Sequence, residues 1–311
     1  MKKTTLFFAL ALLLAMLCGC AGQQPAAPAP SPTPAPPPLE DVAQEGEGSL
    51  VCSFDGVKHR VLLELPEPHA GAPLVLMLHG YGNNAESFRL QTAFEEAALP
   101  RGYAVAYVTG APDPSVPTSA TGWNSEAKSE GNRDTEFLCA LARYLQESYS
   151  LDSARTYAVG FSNGGFMAHR LAMDAADTFA ACVSVGGLMP ESVWNARRED
   201  NAVGFFQITG EKDDVVPKNS DGSARYSRAP AIEDVIEYWA ASDGLELKET
   251  VPVGNESSLM RYAREGKPQQ VWHLVVTDGR HSWPDMGLYG IDTNALILDF
   301  LDTQTDQNKG E

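Results

Sequence analysis

The pattern of hydrophobic and polar positions divides the chain into short apolar runs and longer amphipathic segments. Continuous apolar runs, typical of strands buried on both faces of a sheet, cover residues 72–80, 103–110, 155–162, 179–187 and 203–210. Helical periodicity recurs between and after these runs, over residues 135–150, 163–175, 232–242 and 292–301. This alternation predicts an α/β fold with a mostly parallel central sheet flanked by helices.

The pattern changes towards both edges of this sheet. Residues 50–66 form two β-rich runs around Asp55-Gly56, which predicts an N-terminal antiparallel hairpin. Two further strand-like runs, 258–264 and 269–277, flank a Gly-Lys-Pro turn. We therefore expect one globular domain over residues 48–303, followed by a polar tail over residues 304–311.

The N-terminus has the pattern of a secretory leader. Lys2 and Lys3 precede an apolar run, residues 6–17, that is too short for an ordinary membrane span. The segment Leu-Cys-Gly-Cys that ends at Cys20 resembles a bacterial lipobox, in which the last cysteine is lipidated. This predicts a lipoprotein signal peptide over residues 1–19 and lipidation of Cys20, with a plain secretory leader as the alternative.

Residues 20–47 are rich in proline and alanine and then acidic, a composition that cannot bury a core. We predict that they form an extended tether, so that the domain is extracytoplasmic and bound to a bacterial membrane through its lipid anchor. The formal net charge of −18 argues against nucleic acid as a partner, because a phosphate backbone would be repelled.

The predicted domain holds three cysteines, Cys52, Cys139 and Cys182. They lack the spacing of metal ligands, and no other cluster suggests a metal or an organic cofactor, so we predict none. An odd number of cysteines leaves any disulfide pairing among them undecided.

A Gly-x-Ser-x-Gly segment stands where a predicted strand gives way to a predicted helix. Gly160 and Gly164 flank Ser162, and a sharp strand-to-helix turn leaves no room for side chains at the flanking positions. The helix that follows directs its N-terminal N–H groups towards a developing anion. The segment predicts that Ser162 is a nucleophile; an ordinary helix-capping serine is the alternative.

A serine hydroxyl is inert unless a base takes its proton. His281 lies in a loop directly after the last strand-like run, where it could reach the serine. His273 stands inside a predicted strand, His169 lies two turns along the helix that follows Ser162, and the two histidines nearest the N-terminus belong to the hairpin region. We therefore predict His281 as the base.

The acid that orients this base should follow an intermediate strand, since the order Ser, Asp, His is expected in such folds. The loop over residues 208–217 offers Glu211, Asp213 and Asp214. The apolar residues that follow would pack beneath Asp213, which favours that residue. Asp214 remains the alternative.

The backbone N–H of Asn163, the residue after the predicted nucleophile, is one predicted oxyanion donor. The glycine-rich loop over residues 79–84 follows the first buried strand and should supply the other, which we assign to the N–H of Tyr81. His79 is expected to hold this loop rather than to transfer protons. Asn163 is expected to act through its backbone rather than through its side chain.

Five stretches carry a resemblance to a known group of enzymes: LVLMLHGYGNN, TGWNS, GFSNGGFMAHRLA, ITGEKDDVVP and GRHSWP. Together they span about residues 72–285, and they resemble the secreted polyhydroxybutyrate depolymerase and feruloyl or acetylxylan esterase group of α/β-hydrolases. The resemblance implies the α/β-hydrolase fold and a triad of Ser162, Asp213 and His281. It also implies that Trp123 and Trp283 line the substrate cleft.

The chain departs from this group after the Trp-Asn dipeptide, where a Cys-Cys pair is common but absent here. We expect a secreted serine carboxylesterase that works through an acyl-enzyme. Its substrates would be feruloyl or acetyl esters on polysaccharide, or short hydroxyalkanoate esters. The alternatives are a serine peptidase of the same fold and a non-catalytic binding lipoprotein.

Overall fold

The computed structural model describes residues 37–113, 120–126, 131, 133–199, 201, 203–218 and 228–304. The predicted signal peptide, Cys20, most of the predicted tether and all of the predicted tail after residue 304 lie outside the described residues. Among the described helices, none combines the length and the apolar character needed to cross a bilayer.

A sheet of eleven strands lies at the centre of the described residues. Its strands are β1 Glu40–Gln44, β2 Ser49–Phe54, β3 Val57–Glu64, β4 Leu74–Leu78, β5 Ala104–Val108, β8 Thr156–Phe161, β9 Ala181–Val185, β10 Gly204–Gly210, β11 Glu246–Val253, β12 Ser257–Ala263 and β13 Val271–Val276. A separate two-stranded ribbon pairs β6 Ala111–Pro112 with β7 Thr121–Gly122.

The strand order is β1-β2-β3-β5-β4-β8-β9-β10-β13-β12-β11. Neighbours from β5 to β13 pair in parallel, whereas the three strands at the N-terminal edge and the two at the other edge pair antiparallel. The predicted parallel core and N-terminal hairpin are confirmed. Asp55 and Gly56 both have positive φ, 51° and 76°, which is the conformation that an Asp-Gly turn adopts in a tight hairpin.

The sheet begins earlier than the sequence predicted. Residues assigned to the tether form β1, in which Glu40 pairs with Ser53 and Ala43 with Val51. The prediction that the tether extends to residue 47 is therefore wrong. This strand lies at the edge and is almost entirely exposed, so it has no apolar periodicity from which it could be recognised.

The described helices are α1 Ala85–Thr92, α2 Phe94–Ala98, α3 Asp134–Tyr149, α4 Asn163–Asp174, α5 Glu191–Asn195, α6 Ile232–Ser242 and α7 Thr293–Thr303. The four predicted helices correspond to α3, α4, α6 and α7. Two hydrophobic clusters cover the two faces of the sheet: Leu74, Leu76 and Leu78 of β4 belong to one, and Val75 and Met77 belong to the other. The carboxyl ends of the parallel strands carry the loops in which the predicted site residues lie.

Candidate active site

Ser162 joins β8 to α4 in a strained conformation. Its φ is 51° and its ψ is −115°, a region that residues with a side chain seldom occupy. Its backbone N–H donates to the carbonyl of Val185 at 2.8 Å, which fixes the turn to the end of the neighbouring strand β9. The turn presents the serine hydroxyl at the carboxyl edge of the sheet.

The two glycines of the Gly-x-Ser-x-Gly segment are required by close backbone approach. A Cβ on Gly160 would lie 2.0 Å from the carbonyl oxygen of Gly164. A Cβ on Gly164 would lie 2.1 Å from the carbonyl oxygen of Leu78. Helix α4 can therefore start this close to β4 and β8 only if both positions lack a side chain.

The structure brings Ser162, His281 and Asp213 into one hydrogen-bonded line. Nε2 of His281 lies 2.9 Å from Oγ of Ser162, and Nδ1 lies 2.8 Å from Oδ2 of Asp213. A carboxylate accepts, so Nδ1 carries the proton and Nε2 is free to accept the serine proton. This is the tautomer that a general base needs.

The two acids considered in the sequence differ in this structure. The Asp213 side chain is 1% exposed, and its other oxygen accepts from the N–H groups of Val215 at 2.9 Å and Val216 at 2.8 Å. The apolar residues after Asp213 thus hold it through their backbone. Asp214 is exposed to solvent, and it is Asp213 that contacts His281.

A glycine turn after β9 packs against the imidazole of His281. Gly186 has φ 60°, and a Cβ there would lie 3.4 Å from the His281 ring. The next residue, Gly187, accepts a hydrogen bond from Nε2 of Gln207 at 3.1 Å. Because the amide of Gln207 donates there, its Oε1 accepts from Nε2–H of His169, which lies 3.1 Å away.

Sequence reasoning did not find Gln207 as a support of this site. His169 is buried, and burial lowers its pKa to about 3, so it stays neutral and serves only as a hydrogen-bonding and packing group. Its ring also stacks on Phe205. His273 is buried in β13, as its position in the sequence predicted.

The residues that carry the predicted oxyanion donors lie close to Ser162. Asn163 follows Ser162 directly, and a Cβ on Gly80 would lie 3.4 Å from Cβ of Ser162, so the loop that carries Tyr81 lies against the elbow. Neither the Tyr81 nor the Asn163 N–H donates to a backbone carbonyl of the described residues. The phenol of Tyr81 donates to Asp113 at 3.0 Å, which ties this loop to the β6–β7 ribbon.

The side chain of Asn163 has a role that the sequence analysis did not foresee. Its Oδ1 accepts from the Trp123 N–H at 2.7 Å, and its Nδ2 donates to the Trp123 carbonyl at 3.2 Å. The expectation that Asn163 acts only through its backbone is therefore wrong. The first residue of α4 is tied to the loop that follows β7 by two hydrogen bonds.

His79 holds the predicted oxyanion loop, as expected. The N–H of Gly110 donates to its Nε2 at 2.9 Å, so Nδ1 carries the proton and donates to the carbonyl of Gly80 at 2.7 Å. Burial lowers the pKa of His79 to about 4, and the imidazole is therefore neutral at physiological pH. With both nitrogens engaged, His79 is unsuited to proton transfer.

The two tryptophans assigned to the cleft differ in their surroundings. Trp123 is 6% exposed, and its indole N–H donates to the carbonyl of His79 at 2.9 Å, so its contacts are those of a residue that packs beneath the loop. Trp283 donates to Asn294 at 3.1 Å and borders an open groove of about 540 Å³ beside His281. Contact of either residue with substrate remains a prediction.

The three cysteines of the described residues, Cys52, Cys139 and Cys182, are all free thiols. Burial raises the pKa of Cys52 and Cys139 to about 11, so neither is a reactive thiolate at neutral pH. No group of three or more histidine, cysteine, aspartate or glutamate side chains with metal-binding geometry occurs in the part of the chain that the structure describes.

Comparison with known proteins gives a family match. Residues 56–203 match the "Esterase" family model, described as "Putative esterase". The relative named "Putative esterase NocK", from Nocardia uniformis subsp. tsuyamanensis, is 26% identical over 242 residues, which are 71% of this chain and 67% of that protein.

Two further relatives match over shorter regions. "Bifunctional acetylxylan esterase/xylanase XynS20E" of Neocallimastix patriciarum is 27% identical over 47% of this chain and 20% of its own length. "Feruloyl esterase B" of Thermothelomyces thermophilus is 30% identical over 32% of this chain and 34% of its own length. The chain thus spans about two thirds of the first relative and about a third or less of the other two.

Solved structures show the same fold. The acetyl xylan esterase from Aspergillus awamori has a TM-score of 0.58 and 12% identity, over 79% of this chain and 94% of that one. A structure described as native pOPH has a TM-score of 0.54 and 16% identity, over 84% of this chain and 88% of that one. At these identities the solved structures show that the chain has the α/β-hydrolase fold, and the family match adds that residues 56–203 are similar to putative esterases.

Proposed function

We propose that the chain is a serine carboxylesterase in which Ser162 is the nucleophile, His281 the base and Asp213 the acid that orients it. The observation that carries this proposal is the hydrogen-bonded line from Asp213 through His281 to Ser162, with separations of 2.8 Å and 2.9 Å. Asp213 keeps Nε2 unprotonated at rest and stabilises the imidazolium that forms when His281 takes the serine proton.

In the first half of the reaction, Oγ of Ser162 attacks the ester carbonyl while its proton passes to Nε2 of His281. The N–H groups of Tyr81 and Asn163 donate to the oxyanion of the tetrahedral intermediate. The intermediate collapses, the carbon–oxygen bond to the alcohol breaks, and His281 returns its proton to the leaving oxygen. An acyl-enzyme remains on Ser162.

In the second half, His281 takes a proton from a water molecule that attacks the acyl carbonyl. The new tetrahedral intermediate collapses, the bond between the acyl carbon and Oγ breaks, and the proton on His281 returns to the serine oxygen. The products are the free acid and the regenerated enzyme.

Feruloyl or acetyl esters on polysaccharide are the substrate class that we favour. Two relatives carry acetylxylan esterase or feruloyl esterase in their names, and the family match over residues 56–203 contains Ser162. Short hydroxyalkanoate esters are the second class. A serine peptidase of the same fold would use the same three side chains, so substrate tests must separate ester from amide cleavage.

We also propose that residues 1–19 are a lipoprotein signal peptide, that Cys20 is lipidated, and that the residues between Cys20 and β1 tether an extracytoplasmic domain to the membrane. The leader sequence described above supports this proposal. In a bacterial host, the full-length chain should fractionate with membranes, and Cys20→Ala should release it or halt its processing. Unchanged fractionation and processing of the variant would show that Cys20 is not the anchor.

The enzymatic proposal is tested with a fluorophosphonate probe and a panel of substrates. Wild type should be labelled covalently, Ser162→Ala should not, and ester turnover should disappear with the labelling. Equal labelling of the two proteins, or turnover that survives Ser162→Ala, would exclude Ser162 as the nucleophile. Cleavage of matched amides as fast as esters would favour the peptidase instead.

A further inference from the structure

An open groove of about 540 Å³ borders the imidazole of His281. Phe161 and Trp283 give it apolar surface, and Met286, which is 64% exposed, stands at its rim. The ring of Phe161 lies beside the imidazole, with the centroids of Phe161 and His281 5.1 Å apart. The groove therefore begins at the group that we propose as the general base.

The residues that carry the predicted oxyanion donors, Tyr81 and Asn163, do not line the groove. The Tyr81 ring and the Asn163 amide both lie beside Gly122 of β7, Asn163 accepts from the Trp123 N–H, and Trp123 does not border the groove either. In the tetrahedral intermediate the oxyanion points to the N–H donors, whereas the leaving oxygen must lie within reach of Nε2 of His281. The alcohol part of the ester therefore extends past His281, towards this groove.

Two carboxylates make this groove negative. Oδ1 of Asp285 accepts from the N–H groups of Gly287 at 2.7 Å and Leu288 at 2.9 Å, and Oδ1 of Asp292 accepts from the N–H of Ala295 at 3.0 Å. Backbone hydrogen bonds thus hold both carboxylates at the groove, and both residues are exposed. Among the described residues that border the groove, no lysine or arginine offsets their charge.

We infer that this groove binds the alcohol part of the ester, and that Asp285 and Asp292 select against alcohols that carry a negative charge. The inference rests on the proposed esterase activity and narrows its substrate class. A short hydroxyalkanoate ester releases a hydroxy acid, whose carboxylate would enter the negative groove. An uncharged sugar hydroxyl carries no such cost, so the groove favours neutral carbohydrate esters over hydroxyalkanoate dimers and over esters of acidic sugars.

The test compares acetyl esters that share one acyl group and differ in the charge of the alcohol. Suitable probes are 3-acetoxybutyrate, its uncharged methyl ester, and the pair of acetylcholine and its uncharged analogue 3,3-dimethylbutyl acetate. At low ionic strength, kcat/KM for the anionic ester should be about threefold to tenfold below that of its methyl ester. Acetylcholine should be cleaved at least as well as its uncharged analogue, and added salt should reduce both differences.

The matched variants are Asp285→Asn and Asp292→Asn, in which the amide oxygen can still accept the same backbone hydrogen bonds. The double variant should bring the ratio of kcat/KM for the anionic and methyl esters to within about twofold of one. Glu265→Gln, which removes an exposed charge from a turn outside the groove, should leave this ratio as in wild type. This control separates a local effect from the overall negative charge of the chain.

Three outcomes would overturn the inference: equal turnover of the anionic and neutral esters by wild type, a ratio that the double variant does not change, or an equal response to Glu265→Gln. A further pair of substrates places the negative charge on the acyl part instead: kcat/KM is compared for the monoethyl ester of succinate and for ethyl butyrate. If the double variant equalises kcat/KM for this acyl-charged pair and not for the alcohol-charged pair, the groove binds the acyl part. Absence of turnover for every ester, together with absence of fluorophosphonate labelling, would instead refute the proposed activity itself.

Discussion

The side chain of Asn163 holds the backbone of Trp123 by both of its polar groups. It accepts from the Trp123 N–H at 2.7 Å and donates to the Trp123 carbonyl at 3.2 Å. Trp123 in turn donates through its indole to the carbonyl of His79, the residue that begins the loop of Tyr81. A single amide therefore couples the start of α4 to the loop that carries the second predicted oxyanion donor.

Asn163→Ala should uncouple the two predicted oxyanion donors while keeping the backbone N–H of residue 163. We expect kcat for a soluble acetyl ester to fall about 10-fold to 100-fold, because small displacements of preorganised groups are costly. Asn163→Asp keeps the acceptor for the Trp123 N–H but loses the donor to the Trp123 carbonyl. Its kcat should therefore lie between that of wild type and that of Asn163→Ala. Steady-state kinetics on folded protein measure this; wild-type kcat in Asn163→Ala would show that the amide does not position the site.

Asp213→Asn and Asp214→Asn form a matched pair for the orienting acid. An asparagine at 213 would favour the wrong tautomer of His281, so kcat should fall by about 10⁴-fold. Asp214 is exposed, and its replacement should change kcat less than about twofold. Circular dichroism spectra should show that both variants fold. A larger loss from Asp214→Asn than from Asp213→Asn would reverse the assignment of the acid.

Gly160→Ala and Gly164→Ala should each prevent the native elbow from forming. The added Cβ would meet a backbone oxygen at 2.0 Å or 2.1 Å, and the backbone cannot yield without moving α4 from the sheet. Gly102→Ala is the control, because it has φ 80° but open space around it, and it should cost only about 1–2 kcal/mol. Soluble yield and the midpoint of thermal unfolding distinguish them. Near-native stability of either elbow variant would contradict the close packing described here.

The sequence predicted those parts of the fold in which burial produces a recognisable local pattern of apolar residues. Strands β4, β5 and β9 are buried along their whole length, which gives continuous apolar runs. Strands β1 and β11 lie at the sheet edges and are largely exposed, so their polar sequences carry no such signal. Helix α1 was also missed, although Asn84 caps it by accepting from the N–H of Ser87 at 2.9 Å, a signal that was available.

In the candidate site, too, some residues have a local sequence signal and others do not. Ser162 and His281 could be named because glycines, turns and chain order mark their loops. Gln207 stands in the middle of a buried strand, and its bond to Gly187 depends on which strands are neighbours in the sheet. The side-chain bonds of Asn163 likewise depend on a loop 40 residues away in sequence. Such supports follow from tertiary packing and have no local pattern.

Acid should destabilise the protein through its buried histidines. Burial lowers the pKa of His59, His79 and His273 to about 4, and that of His169 to about 3, from an ordinary value of 6.5. Between pH 6.5 and about 4 the unfolded chain therefore binds more protons than the folded protein, and the free energy of unfolding falls as the pH is lowered. Urea unfolding at pH 7.5 and pH 5 measures the change.

His273→Leu isolates one of these groups, since His273 is buried in β13 away from the triad loops. The slope of the free energy of unfolding against pH should become shallower by up to about 1.4 kcal/mol per pH unit. This corresponds to a difference of one bound proton. Its absolute stability could change through packing, but that change is independent of pH and does not affect the slope. A slope equal to that of wild type would show that His273 is charged in the folded protein.

Asp134 should have the opposite dependence on pH. It is 2% exposed, its Oδ2 accepts from the N–H of Asn124 at 2.6 Å, and burial raises its pKa from 3.8 to about 6. Between those values the folded protein binds more protons than the unfolded chain, so this group's contribution to stability falls as the pH rises from about 4 to about 6 and stays low above that. The ionised carboxylate therefore costs up to roughly 3 kcal/mol at neutral pH.

Asp134→Asn should remove that cost, because an asparagine oxygen can still accept from Asn124 without carrying a charge. The variant should unfold at higher urea concentration than wild type at pH 7.5, and the advantage should shrink as the pH is lowered from about 6 towards about 4. Glu147→Gln, an exposed change on the same helix α3, should give no gain at either pH. If Asp134→Asn is instead less stable at pH 7.5, the hydrogen bond to the charged carboxylate outweighs its burial.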